Sequence, residues 1–333
     1  MKILIVTGIY PPEIGGPAEY AKNLKDAWVA QGHQVSVKVF GRFQRIPWGI
    51  RHAVFLLHIL PSVIWADRVL TLDAFSAGVV VVAGKLFGKK IIFRTGGDAL
   101  WESYVERTGD LALLKDFYET TVPNWSFKEK LTFYLLRWAL RNLSAIIWST
   151  EWQKDIFIEP YGLRRQNHFI VENYYGPKLS SKKPAGKNFI AATRKLKWKN
   201  VEMLEKVFAE KEFSKSGATL DAATAPHGAF LEKLASSYAV IIASLGDVSP
   251  NTILDAIRLD KPFILTRENG LYPRIKDVGI FVDPEDPRDI RDKVKWLLDP
   301  DNYESKRKQL VRFTFTHSWE DIAQEYLEIW KNL

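Results

Sequence analysis

Tyr238-Ala-Val-Ile-Ile-Ala243 runs directly into Ser244-Leu-Gly-Asp247-Val-Ser249-Pro250-Asn251-Thr252-Ile-Leu-Asp255-Ala256. The first stretch is short, apolar, rich in β-branched residues and uncharged, as a strand covered on both faces of a parallel sheet reads. Ser249 then suits an N-cap and Pro250 the first helical position, because proline has no N–H to lose there and its φ is already helical. A helix from Pro250 to about Leu259 is expected. Asp247 then lies on a loop at the carboxyl end of the strand, and Asp255 lies on the helix behind it. The amides of Asn251 and Thr252 face the same crevice. Open α/β sheets bind ligands at this edge. A turn aspartate and a solvated helix carboxylate would show the same spacing, so the meaning of the pair depends on the rest of the chain.

Outward from this unit, apolar strand-like runs recur with helical stretches between them. They begin at Ile3, Val35, Val69, Ile91, Ile146 and Phe169, and again at Phe189, Thr219, Val240, Pro262 and Ile280. That alternation predicts doubly wound parallel sheets. The stretch from Tyr174 to Lys187, rich in Gly, Pro, Ser and Lys and without apolar period, reads as an interdomain linker. Two α/β domains are expected, 1–175 and 176–317. The last helix, within 318–333, carries Trp319, Ile322, Tyr326, Ile329 and Trp330 on one broad face and is expected to pack back on the first domain.

Composition narrows the function. With 333 residues the chain exceeds the size at which one core keeps growing, which agrees with two domains. It has no cysteine, which excludes disulfides, thiolate catalysis and cysteine-ligated metal. The apolar start is too short for a signal peptide, and the greasy region from Ala53 to Ala66 is broken by His58, Pro61 and Ser62. A cytoplasmic protein is expected. The net charge of +8 calls for anionic partners, either a phosphorylated ligand or an acidic membrane surface. The cations are scattered and no recognition motif is visible, so nucleic acid is not expected.

Three further loops follow strands. Gly15 and Gly16 precede Pro17, where glycine lets a ligand approach the backbone and helix amides can meet a phosphate; an ordinary strand-to-helix turn reads the same way. The loop is no GxGxxG fingerprint, which disfavours a nicotinamide dinucleotide. Arg194, Lys195, Lys197 and Lys199 follow the first strand of the second half and would suit a diphosphate, or form a solvated basic loop. Gly96-Gly97-Asp98, followed by Trp101, suits a sugar-binding wall, with Asp98 as a helix cap the plain alternative.

Taken together, Gly15-Gly16, Ser149-Thr-Glu, Val171-Glu-Asn173, Arg194 with Lys199, the Asp247/Asp255 pair, Lys261-Pro262, Asn269-Gly270 and Ser318-Trp319 resemble the retaining glycosyltransferases of the GT-B fold, and within them glycosyltransferase family 4. The resemblance spans nearly the whole chain. It implies two Rossmann-like domains facing each other across a cleft, with a nucleoside-diphosphate sugar, of UDP or GDP type, as donor substrate. It implies that Arg194 and Lys199 neutralise the diphosphate, that Gly15 and Gly16 approach it, that Asp247 meets sugar hydroxyls, and that Asp255 holds the ribose. It also implies retention, no metal and no separate cofactor. This chain departs from the family pattern, which has glutamate at both acidic positions and Phe-Gly where Ser249-Pro250 stand, and often a histidine in the loop that here carries Asp98.

For the acceptor, the stretches from Trp125 to Trp138 and from Arg42 to Leu60 interleave rings and cations. Such helices suit either a core or an anionic membrane surface. A glycan or lipid-linked acceptor is expected, with the protein peripheral on the inner membrane face. An epimerase of the same fold, or an inactive nucleotide-binding subunit, is the alternative.

Overall fold

Two parallel sheets organise the chain. The computed structural model describes residues 1–333 with the exception of residue 14, residues 192–195, residues 224–226 and the side chain of His227. Six strands make the first sheet: β1 (Lys2–Thr7), β2 (Gln34–Val39), β3 (Arg68–Thr71), β4 (Lys90–Arg94), β5 (Ala145–Trp148) and β6 (His168–Ile170). They lie in the order β2-β1-β3-β4-β5-β6, every pair parallel. Five strands make the second: β7 (Lys187–Ile190), β8 (Ala218–Asp221), β9 (Ala239–Ile242), β10 (Phe263–Thr266) and β11 (Ile280–Val282). Their order is β11-β10-β9-β7-β8, again all parallel. Burial follows position. The interior strands β5, β9 and β10 are buried at every residue, as helices on both faces demand, whereas the edge strands β2, β6 and β8 keep half-exposed side chains.

The first unit comprises Met1–Leu100, Trp125–Tyr174 and His317–Leu333; the second comprises Trp101–Asn124 and Tyr175–Thr316. Residues 101–124, which the sequence reading leaves in the first domain, therefore group with the second.

Within the first unit, the Trp319–Asn332 helix packs on the Gly16–Ala30 helix. Its start is set by a capping box between Ser318 and Asp321. Its buried stripe of Ile322, Ala323, Tyr326, Leu327 and Trp330 joins Leu24 and Trp28 in one core. Trp28 donates its indole N–H to the Ala323 carbonyl at 3.1 Å, and the Tyr20 and Tyr326 hydroxyls meet at 3.1 Å. The polar tips of Trp28, Tyr20 and Tyr326 thus find partners inside an otherwise apolar contact. Among the described residues no helix is long and apolar enough to cross a membrane.

Candidate functional site

In the second sheet the winding reverses between β7 and β9, because β8 lies beyond β7 on one side and β10 and β11 beyond β9 on the other. Loops leaving the carboxyl ends of two such strands part from each other and open a crevice. The loop after β7 leads to Lys199, and the loop after β9 carries Asp247. Arg194, expected on the first of these, lies outside the described residues.

Lys199 ends a short 3-10 turn, Lys197–Lys199, and its ammonium donates to Asp247 Oδ2 at 2.7 Å. The same ammonium lies 4.2 Å from the centre of the Trp198 ring. Asn200 fixes the turn. It takes the left-handed conformation with φ 56°, which asparagine tolerates better than most residues. Its buried amide donates to the carbonyls of Ala243 at 3.1 Å and Pro284 at 2.8 Å. One side chain thus ties the loop after β7 to the loop after β9.

Asp247 is only 8% exposed. Besides Lys199, its carboxylate accepts from Ser244 Oγ at 3.1 Å. Its backbone forms a parallel bridge with Asn269: the Asp247 amide donates to the Glu268 carbonyl at 2.9 Å, and the Gly270 amide donates to the Asp247 carbonyl at 3.1 Å. The Asn269-Gly270 stretch noted in the sequence therefore lies beside the acid.

Asp255 sits on the Asn251–Arg258 helix, buried, with Oδ1 accepting from Arg258 at 3.0 Å one turn on. Arg258 also donates to the Pro177 carbonyl at 3.1 Å. The helix start differs from the expectation by one residue. Pro250, with ψ 108°, is the extended N-cap, and it makes no side-chain capping bond. Ser249 is not the cap; the Pro250 carbonyl instead accepts from Ile253 at 3.0 Å. Asn251, exposed, and Thr252, half-buried, open the first turn.

The segment Trp101–Asn124 packs on these same loops, which sequence reasoning missed. The rings of Trp101 and Trp198 meet at 5.3 Å. Glu106 accepts from the Lys197 amide at 2.7 Å, and the Lys197 ammonium donates to the Glu106 carbonyl at 2.9 Å. Leu114 donates its amide to the Leu245 carbonyl at 3.0 Å, and Lys115 pairs with Glu268 at 2.7 Å. Lys197, counted among the phosphate cations from sequence, is thus committed to holding its loop, and Lys199 is the described cation beside Asp247.

In the first sheet the winding reverses between β1 and β3. Gly15 is the N-cap of the Gly16–Ala30 helix in the loop after β1. The tightest demand for glycine in this region falls on Gly41, where an added Cβ would lie 2.3 Å from the Gly8 carbonyl oxygen. Asp73, two residues after β3, was not singled out in the sequence, although an acid on a loop that leaves a strand is the signal that marked Asp247. It accepts from the Ser76 amide at 2.7 Å. Burial pushes its pKa up, against the opposing pull of the Ser76 and Phe75 hydrogen bonds and of Arg51.

Asp98 is buried at the head of the Ala99–Thr108 helix and accepts from the Leu100 amide at 2.9 Å, a capping contact. Arg94, at the end of β4, is 5% exposed and lies 3.8 Å from the centre of the Tyr20 ring. It donates to Ser149 Oγ at 2.9 Å and to Asn173 Oδ1. The strand ends Ser149 and Asn173 are therefore joined through one buried guanidinium. Among the described residues no cluster of three or more histidines and acids is arranged to hold a metal ion.

No family model and no curated protein sequence matches the chain. Solved structures do. The chain is similar to a sucrose-phosphate synthase from Thermosynechococcus elongatus, with TM-score 0.71 and 12% identity over 99% of this chain and 98% of that one. It is similar to WaaG, a glycosyltransferase involved in lipopolysaccharide biosynthesis, with TM-score 0.70 and 11% identity over 99% of each chain. It is also similar to Anabaena HepE, solved in complex with UDP-glucose, with TM-score 0.68 and 13% identity over the whole of both chains. At these identities the likeness is one of fold, and the chain has the GT-B fold, built from Rossmann-like parallel-sheet units of six and five strands.

Proposed function

We propose that the protein is a glycosyltransferase that moves a hexose-type sugar from a nucleoside-diphosphate sugar to a hydroxyl of a glycan or lipid-linked acceptor, with retention of anomeric configuration and without a metal ion. The observation that carries this reading is the Lys199–Asp247 pair between the loops that leave the second sheet at its winding reversal. HepE, of the same fold, was solved with UDP-glucose, and starch synthase IV of Arabidopsis thaliana with ADP and acarbose.

Breaking the anomeric C–O bond builds positive charge on the sugar and negative charge on the departing diphosphate. Fixed cations and helix-end amides near that diphosphate lower the barrier. In this reading Lys199 and Arg194 supply the cations and Asn251 and Thr252 the amides, with Gly15 and Gly16 approaching the diphosphate. Asp247 takes the sugar hydroxyls, Asp255 the ribose, and Asp98 the sugar from the first domain. A diphosphate oxygen takes the acceptor proton. The basic, ring-bearing helices of the first unit support work at the cytoplasmic face of an anionic membrane.

A thermal-shift panel of UDP, GDP, ADP and their sugars tests the donor site, since a ligand held about 100-fold above its Kd raises stability by roughly 2.7 kcal/mol. Donor hydrolysis or transfer that is lost in Arg194→Ala supports the enzyme. Tight nucleotide binding with no turnover on any acceptor would identify a binding subunit instead, and no shift with any nucleotide would sink both readings.

A further inference from the structure

The first unit holds a cavity of about 390 Å³, within the range of small-molecule sites. It is lined by the helices Ile50–Trp65, Ala77–Leu86 and Phe127–Leu140, which pack side by side. Its wall includes Leu56, Val79, Val82 and Leu136, with the indoles of Trp48 and Trp138 partly open to solvent. The polar side chains besides those indoles are Thr132 and His52. Burial and the neighbouring Arg51 cation hold His52 below the usual histidine range, so the lining carries no charge at neutral pH. A polar or charged ligand finds little to bind there; a hydrocarbon chain finds a matching wall.

The surface around the cavity has the same character. On these three helices Phe127 is 81% exposed and Leu57 69%, with Leu86 and Tyr134 exposed as well. Exposed apolar groups in such number mark an interaction surface. Its charge is one-sided. The Ile50–Trp65 and Ala77–Leu86 helices contain no acid, and the single acid of Phe127–Leu140, Glu129, is buried in its own capping box. Exposed cations flank the face at Arg42, Arg45, Lys85, Lys128 and Lys130. A second copy of this face would bring like charges together, whereas an anionic lipid head would meet complementary ones.

The cavity also reaches the working edge of the first sheet. Ala74 and Phe75 follow β3, and Ala99 and Leu100 open the helix that Asp98 caps. The cavity therefore extends to the helix start that follows the loop Gly96–Asp98.

We infer that this cavity binds one hydrocarbon chain of a lipid acceptor with an anionic, phosphate-bearing head, taken from a membrane surface on which the three-helix face rests. The assignment builds on the transferase reading above and names the acceptor class for that same first-domain edge.

Gly78 supplies the variant. It lines the cavity, and a Cβ added there meets nothing within 4 Å, so Gly78→Phe fills the space from a helix without disturbing its backbone. The probes are a dansylated undecanoic acid, followed by fluorescence, and phosphatidylcholine vesicles with and without phosphatidylglycerol, followed by flotation. The wild-type chain should bind about one equivalent of the probe and float only with the anionic vesicles at low salt. Gly78→Phe should weaken probe binding by at least about tenfold, roughly the free energy of two buried methylenes, while keeping its melting temperature and its nucleotide shift. Leu135→Glu, on the exposed rim of the cavity, should reduce both probe binding and flotation. Wild-type protein that binds no probe, or Gly78→Phe that binds it as tightly as wild type, would overturn the assignment, as would a concentration-dependent dimer in gel filtration that masks the face. A preserved nucleotide shift alongside those failures would leave the donor reading standing; probe binding with no nucleotide shift would overturn the donor reading alone.

Discussion

Lys199 and Asp247 form one ion pair at 2.7 Å, with side chains 16% and 10% exposed. The cation proposed for the diphosphate and the acid proposed for the sugar therefore hold each other. A donor entering this crevice has to share Lys199 with Asp247. Truncating one member of a pair this enclosed leaves the other charge without its partner, a cost of roughly 3–5 kcal/mol. Lys199→Ala and Asp247→Ala should each lower the denaturation midpoint, and the double variant should lose clearly less than the sum. Equal and additive losses would mean that the two groups act independently. On function, Asp247→Ala should reduce transfer more than nucleotide binding.

Asp255 is expected to behave differently. Asp255→Ala should weaken nucleotide binding itself, by roughly 1.5–3 kcal/mol if a hydrogen bond between its carboxylate and a ribose hydroxyl is lost. Arg258→Ala removes the cation now paired with Asp255 and should leave nucleotide affinity equal or tighter while lowering stability. Calorimetric titration with the tightest nucleotide of the panel reads both. Unchanged affinity in Asp255→Ala would remove this residue from the donor site.

Gly246 touches the segment that closes over these loops. An added Cβ would lie 2.5 Å from Leu114 Cβ, too close for either to stay in place. Gly246→Ala should destabilise the protein by roughly 1–3 kcal/mol, the usual cost of overpacking, and disturb Asp247 next to it. Combining it with Leu114→Gly, which removes the clashing atom, should recover part of the nucleotide affinity lost in Gly246→Ala. Absence of any recovery would mean that the Leu114 contact does not position the Asp247 loop.

His317 provides a pH dependence with a definite sign. Its Nδ1 lies 3.1 Å from the Asn173 carbonyl and its Nε2 3.1 Å from Glu325 Oε1. Both neighbours are acceptors, so only the imidazolium satisfies both. Burial alone would lower its pKa, but the Glu325 carboxylate and the Asn173 carbonyl outweigh it and the net shift is upward. The folded state therefore holds this proton more tightly than the unfolded chain. The resulting stabilisation is fully present below the unfolded value, near pH ~6.5, and is lost as pH rises through the raised folded value. Denaturation midpoints measured across this window should fall with pH in the wild type and fall less in His317→Gln. An identical slope in both would assign the dependence elsewhere.

The legible part of the fold was the part with a local cause. Ala239–Ile242 could be read as a buried strand because β-branched, uncharged runs have few other uses, and the last helix could be read because Trp319, Ile322, Tyr326, Ile329 and Trp330 recur on one face. The Asp255–Arg258 pair, three residues apart on one helix, was also open to reading and was passed over. For Lys197 the sequence leaves a phosphate cation and a solvated basic loop side by side, since nothing near it in sequence hints that Glu106, 91 positions earlier, accepts from its amide. Ser249 was misplaced as a cap because both it and Pro250 fit that end of the helix, and the choice rests on a single ψ angle.

Periodicity, cap residues and the order of strands and helices act over a few residues, so the amino-acid order alone specified two parallel-sheet domains and put Asp247 and Lys199 on ligand-edge loops. Folding in three dimensions settled which charges meet. Lys199 found Asp247 across 48 positions, Asn200 tied two loops together, and residues 101–124 grouped with the second unit rather than the first. Those outcomes depend on desolvation and contact between distant segments, and a side chain's final partner is chosen by whatever buried surface the whole chain brings within reach of it.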